Sequence, residues 1–128
     1  MRMKGKQIVF GFNDMFNLDY SLAKVIHAGL LKYKEVISSK ENEFPSTPNI
    51  YLTHVDDFAY LEEHDAEAWA KAHKRWLVDL DEIIWRFSEE GMDNYPVDFD
   101  SDAKIQRHRI RRDSAMAIFA KVFDHLWI

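Results

Sequence analysis

The sequence contains no cysteine, only 4 glycines and 3 prolines among 128 residues, and no apolar run long enough to cross a bilayer. Without cysteine there can be no disulfide framework, no thiolate zinc site and no thiol nucleophile. None of the glycines sits between a strand and a helix in a phosphate-cradling pattern, which excludes P-loop nucleotide hydrolysis. The opening "MRMKGKQIVFGFND" is basic but lacks the apolar core of a signal peptide, so a cytoplasmic protein is expected. Positive charge is also short. With 17 basic against 22 acidic residues the net charge is -5, and a field of that sign argues against general nucleic-acid binding.

What is abundant is apolar and aromatic surface, 47% and 14% of residues with 4 Trp, enough for one core. A single helical domain over residues 1–128 is expected. Residues 1–16 read as an arm or short strand ("GKQIVFGF"). Leu18, Leu22, Val25, Ile26, Gly29, Tyr33, Val36 and Ile37 then recur at three and four, which predicts a helix fading near Ser38 and Ser39. Asn17 is placed to cap it, and Asp19 to meet its positive end. Residues 40–64 form an irregular arm, since Pro45 and Pro48 forbid regular helix, although "NIYLTHV" could make a short strand.

A second helix is predicted from an Asp65 cap to Gly91, with Trp69, His73, Trp76, Leu77, Leu80, Ile83, Ile84 and Phe87 on a stripe wide enough for two neighbours. After the turn "GMDNYPVDFDSD", Asp100 or Ser101 caps a last helix whose second half places Met116, Phe119, Phe123, Leu126 and Trp127 on an apolar face. The expected fold is mainly α: three long helices on one core and a loop-rich arm. A small two-stranded β hairpin could join residues 6–12 to 49–55. No repeat or composition break suggests a second domain.

Chemistry is harder to find. Glu-x-x-His and His-Glu-x-x-His are both absent, and His27, His54, His64, His73, His108 and His125 show no ligand spacing, so no metal or other cofactor is expected. His73 reads as a hydrogen-bonded core histidine rather than a base. Carboxylate pairs at Asp79 and Glu82, Glu62 and Asp65, and Glu90 and Asp93 are spaced like magnesium-binding motifs of helical nucleotide pyrophosphatases, but such spacing arises easily among 22 acids.

The sharpest charge feature is "KIQRHRIRR". Lys104, Arg107, His108, Arg111 and Arg112 would cover one broad helix side and could converge on an anion, or could pair with Asp79, Asp81, Glu89 and Glu90. Val78 and Trp85 lie nearly opposite the apolar stripe of their helix, while Ala115, Ile118 and Val122 continue the basic side of theirs. Val78, Trp85, Ile118 and Val122 are therefore candidate contacts for a subunit or partner, unless the arm at 40–64 covers them.

Three blocks carry a resemblance. "GFNDMFNLDYSLAKVIHAGLLKYKE" presents Asp14, Phe16, Leu18, Asp19, Ala23, Leu30, Tyr33 and Lys34; "WLVDLDEIIWRF" and "AIFAKVFDHLW" follow. In this order they resemble a family of small, mostly uncharacterised proteins of tailed bacteriophages, whose members often carry Trp at the position of Phe16 and Pro-Arg at Ala28 and Gly29. The resemblance implies a phage origin and the host cytoplasm, and no specific reaction.

The expectation is thus a phage accessory protein that works by binding, to a host protein or as a homo-oligomer, rather than by catalysis. One variant has it counter host defence by sequestering a nucleotide signal on the basic helix. A magnesium-dependent nucleotide phosphohydrolase and a minor virion component are also compatible with the sequence. No membrane partner is expected.

Overall fold

The computed structural model describes residues 1–5, 7–38, 47–52, 66–94 and 101–126. The chain opens with a hairpin of β1 (Arg2–Lys4) and β2 (Gln7–Val9), paired antiparallel with Arg2 opposite Val9, Met3 opposite Ile8 and Lys4 opposite Gln7. Gly5, at φ 60°, takes the left-handed conformation that a tight turn demands. The chain therefore folds back on itself within its first nine residues. A hairpin between 6–12 and 49–55 does not form: residues 49–52 make a 3-10 turn, and 53–55 lie outside the described residues.

The end of the expected arm is instead a short helix, α1 (Phe12–Phe16), followed directly by α2 (Leu18–Ile37). Asp14 organises this junction. Its Oδ2 accepts the Gly11 amide at 2.7 Å, satisfying a donor that the helix start would otherwise orphan, and meets the Met1 amine at 2.7 Å. Those contacts hold the Asp14 carboxyl below its ordinary value, the amine contributing most. Asn17 occupies the expected boundary, but its side chain makes no capping bond; its carbonyl accepts the Ser21 amide at 3.0 Å.

The central element is α3 (Ala66–Arg86), which packs against α2, the 3-10 turn, α4 (Glu89–Met92) and α5 (Asp102–Val122). It buries Ala72, Trp76, Leu80 and Ile83, with Phe87 just beyond its end, at helical steps of four, four, three and four. The outer helices each bury a seam with a seven-residue repeat: Ala23, Leu30 and Ile37 on α2, His108, Ala115 and Val122 on α5. One side chain per two turns suffices for a helix with a single neighbour, whereas α3 must satisfy two. Ile26, Tyr33, Tyr51, Leu77, Ile84, Ile118, Phe119 and Leu126 pack around this core. Three long helices on one core, the architecture expected from the periodicity, are what form.

One expected boundary shifts. The second helix stops at Arg86 rather than continuing to Gly91; the Ser88 hydroxyl donates to the Trp85 carbonyl and accepts the Gly91 amide at 3.3 Å, capping α4 across an elbow. Gly91 is therefore a close approach rather than a helix terminator: a Cβ there would lie 2.0 Å from the Trp85 carbonyl oxygen. Ser101 caps α5, accepting the Lys104 amide at 3.3 Å, while Asp65, Asp100 and Trp127 lie outside the described residues. The face read on α5 also rotates. Ala115 and Val122 turn inward and Phe119 is half-buried, whereas Met116 and Phe123 are exposed, because the small Ala115 lets α5 close on α3.

Glycine position sets two opposite expectations, both measurable by urea unfolding. Nothing lies within 4 Å of a Cβ built on Gly29 inside α2, so Gly29→Ala should stabilise by about 0.5–1 kcal/mol. Gly91→Ala must displace backbone and should cost more than about 2 kcal/mol, comparable to the roughly 2–5 kcal/mol expected for Leu80→Ala in the core.

Candidate functional site

The basic helix does not present one free cationic face. His108 is buried, its Nε2 2.6 Å from the Asp93 carbonyl and its ring edge-on to Trp85 at 5.5 Å. Arg111 forms a two-pronged pair with Glu82, both contacts 2.9 Å, while its guanidinium lies 3.7 Å from the Trp85 ring centre. The Glu82 hydrogen bonds, ahead of any other influence, raise the Arg111 pKa. Arg112 donates to the Gly91 carbonyl at 2.7 Å and to the Asn94 side chain. Only Arg107 and the half-buried Lys104 remain of the five candidates, and Lys104 is itself engaged. Of the two alternatives read from the sequence, internal pairing is the one these contacts show: His108, Arg111 and Arg112 hold α5 to α3 and the elbow. The acid that takes Arg111 is Glu82, outside the four named from spacing.

The candidate interface residues also separate. Val122 is fully buried and so closed to a partner, while Ile118 is half-buried against the same core. Trp85 is half-buried, with the Arg111 guanidinium over its ring and His108 edge-on to it, while most of the arm at 40–64 lies outside the described residues. Val78 alone of the four stays open, at 59% exposure.

The Asp79 and Glu82 pair is engaged in the same way. Asp79 accepts the Tyr51 hydroxyl at 2.6 Å and Glu82 takes Arg111, and among the described residues no group of three or more His, Asp or Glu is placed to hold a metal. Glu62 and Asp65 lie outside the described residues.

A feature the periodicity missed is built where residues 47–52 cross α3. The Tyr51 amide donates to the Pro48 carbonyl at 3.0 Å, making the turn, and its ring packs on Trp76 with centroids 5.5 Å apart. Arg75 donates to the Tyr51 carbonyl at 2.7 Å, and Thr47 Oγ1 lies 2.9 Å from His73 Nδ1. Burial first, then the Asp79 contact, raises the Tyr51 phenol pKa, keeping it a donor. Beside this turn lies an open cleft of about 760 Å³ lined by Tyr51, Lys71, Lys74, Arg75, Val78 and Asp79. Lys71, Lys74, Arg75 and Val78 stand at i, i+3, i+4 and i+7, the spacing of one helix face. That spacing was visible, but without the turn it reads as a solvated side.

The N-terminal module is the other unexpected surface. No residue of β1, β2 or α1 is buried, and Met3, Ile8, Phe10, Phe12, Met15 and Phe16 are all exposed, Phe12 by 79% and Phe16 by 70%. The two Phe rings meet edge to face, centroids 5.0 Å apart. A smaller apolar groove of about 280 Å³ opens between α2 and α5, lined by Ile26, Gly29, Leu30, Tyr33, Phe119, Phe123 and Leu126. Among the described residues no helix is long and apolar enough to cross a membrane. In comparisons with protein families, curated proteins and solved structures, nothing matches the chain.

Two measurements check this arrangement. Burial lowers the His73 pKa, so the unfolded chain binds that proton more readily than the folded one. The stability due to neutral His73 is complete above about pH 6.5 and drains as pH falls toward the lowered folded value. The drop in urea midpoint between about pH 7.5 and 5.5 should therefore shrink in His73→Gln. Separately, Arg111→Ala uncovers Trp85 and should red-shift its emission while costing about 1–2 kcal/mol, from a partly exposed ion pair and a cation-π contact.

Proposed function

We propose that this chain is a small phage accessory protein that acts by binding a protein partner, and that the N-terminal module is the surface that does so. The observation behind the reading is the exposure of Phe12 and Phe16 on a module that buries nothing of its own. A two-stranded hairpin and a five-residue helix hold little stability alone in water, so these elements gain from a cover. Clustered exposed Phe and Met are the side chains that supply affinity and adaptability at protein contacts. Charge favours an acidic partner surface: residues 1–11 carry Arg2, Lys4 and Lys6 and no acid, in a chain of net charge -5. A second copy offers such a surface, which makes self-association the first form of the reading and a host protein the second.

Sedimentation and affinity capture with purified protein test it. The native chain should sediment above its monomer mass of 15.2 kDa, and Phe12→Ser with Phe16→Ser should return it to monomer with unchanged helical circular dichroism. A monomeric native chain moves the reading to a host partner, retained by the native module and lost with the double substitution. A monomeric chain that retains the same lysate proteins with and without those rings overturns it.

A further inference from the structure

The N-terminal hairpin is unfinished as a sheet. β1 and β2 are 3 residues each, and among the described residues they pair only with each other, leaving an open edge on either side. Two strands are marginal in water; three or more with an apolar face are what gives such a sheet stability of its own. The hairpin already has that face. Met3 and Ile8, directly opposite each other, share one side, while Arg2, Lys4, Gln7 and Val9 share the other. At 64% and 42% exposure, Met3 and Ile8 leave the apolar side open.

The two edges differ in what they offer. Lys4 and Gln7 close the Gly5 turn and direct their backbone bonds at each other, and Arg2 and Val9 do so again two residues on. By the same alternation Met3 and Ile8 aim their N–H and C=O groups outward, where no described strand or turn takes them up. Two β1 strands paired antiparallel about Met3 would set Arg2 opposite Lys4, like charge against like charge, which protects that edge. β2 carries neither charge nor proline. Paired with its twin about Ile8, it sets Ile8 opposite Ile8 and Gln7 opposite Val9, with no repulsion.

We infer that β2 pairs antiparallel with β2 of a second copy about a two-fold axis at Ile8, building one sheet in the order β1, β2, β2, β1 across a dimer. This rests on the self-association form of the reading above and gives it a register. Met3 and Ile8 of both copies then form one apolar row across four strands. The β1 strands fall on the outside, about 14 Å apart at a strand spacing of roughly 4.8 Å. That exceeds the Debye length of about 8 Å at physiological salt, so Arg2 and Lys4 of the two copies do not oppose each other and stay available to acidic surface. Three residues of edge set register rather than area; the area is supplied by the exposed Phe10, Phe12 and Phe16, which follow β2 directly in the chain.

Sedimentation equilibrium and NMR of the intact chain test the inference. In a mixture of isotope-labelled and unlabelled protein, the Gln7 Hα of one copy should show a contact to the Val9 Hα of the other; within one strand the two lie roughly 7 Å apart, too far to give it. Ile8→Pro removes the outward donor and spares the hairpin's own bonds, and should weaken the dimer at least about tenfold. Met3→Pro makes the same change on the opposite edge and should alter it less than about threefold. Ile8→Lys, which keeps the backbone donor and brings two like charges to the axis, should give the same loss as Ile8→Pro. A native dimer without the Gln7 to Val9 contact overturns the pairing, as does one that both Ile8 variants leave as tight as before, or that Met3→Pro weakens equally; in each case Phe12 and Phe16 can still be the contact. A native monomer overturns the pairing as well, and leaves the host-partner form of the reading standing.

Discussion

Everything in this fold leans on α3 having two partners. α2 and α5 each bury one narrow seam, and each does so against α3, so the two outer helices are held in a common structure chiefly through the middle one. Trp76, Leu80 and Ile83 are completely buried because both sides of α3 are covered at once. Burying a Leu- or Ile-sized side chain is worth about 1.5–3 kcal/mol, and these positions are where the apolar contribution concentrates. Polar cross-links then set the rotation of each outer helix: Lys34 to Asp81 for α2, Arg111 to Glu82 for α5. Exposed pairs of this kind add little stability, but they discriminate between competing registers.

The elbow after Arg86 does a second job. Because Gly91 has no side chain, α4 can turn tightly enough for its backbone to face two other elements. Tyr20 of α2 donates to the Met92 carbonyl at 3.1 Å, Arg112 of α5 takes the Gly91 carbonyl, and His108 meets the Asp93 carbonyl. Carbonyls at the end of a short helix would otherwise be orphaned, and here they are satisfied by side chains from α2 and α5. The same geometry engages much of the cluster of five cations and a histidine within the chain. Two of its arginines and the histidine are structural fasteners, and burial together with the nearby Arg112 charge lowers even the Arg86 pKa.

The helical architecture was legible because it rests on periodicity. Trp76, Leu80, Ile83 and Phe87 recur at three and four, and only a helix places them on one side. The Leu18 start and the Ser101 cap were equally readable, since both are local. Asp14 was not, because its partners are a backbone amide and an amine brought back by the hairpin. Nor was the role of Arg112, whose acceptors are carbonyls of an elbow that no composition rule announces. The cleft was hidden for the related reason that one wall comes from Tyr51 and the other from Lys74 and Val78, more than twenty residues away. Pattern reading ranks residues along one element; a site assembled from two elements appears only after they meet. Amphipathic reading also overrated size on α5, where the small Ala115 is buried and the large Phe123 is not.

Trp76 and Trp85, two of the three tryptophans of α3, are set in different surroundings by the fold. Trp76 sits in an apolar interior beside Tyr33 and Tyr51, whereas Trp85 lies beneath a guanidinium at the seam with α5. Events at the cleft reach the first indole through Tyr51, and loosening of α5 reaches the second through Arg111. Each of these two indoles is thereby tied to a different neighbour, Trp76 to the Tyr51 turn and Trp85 to α5.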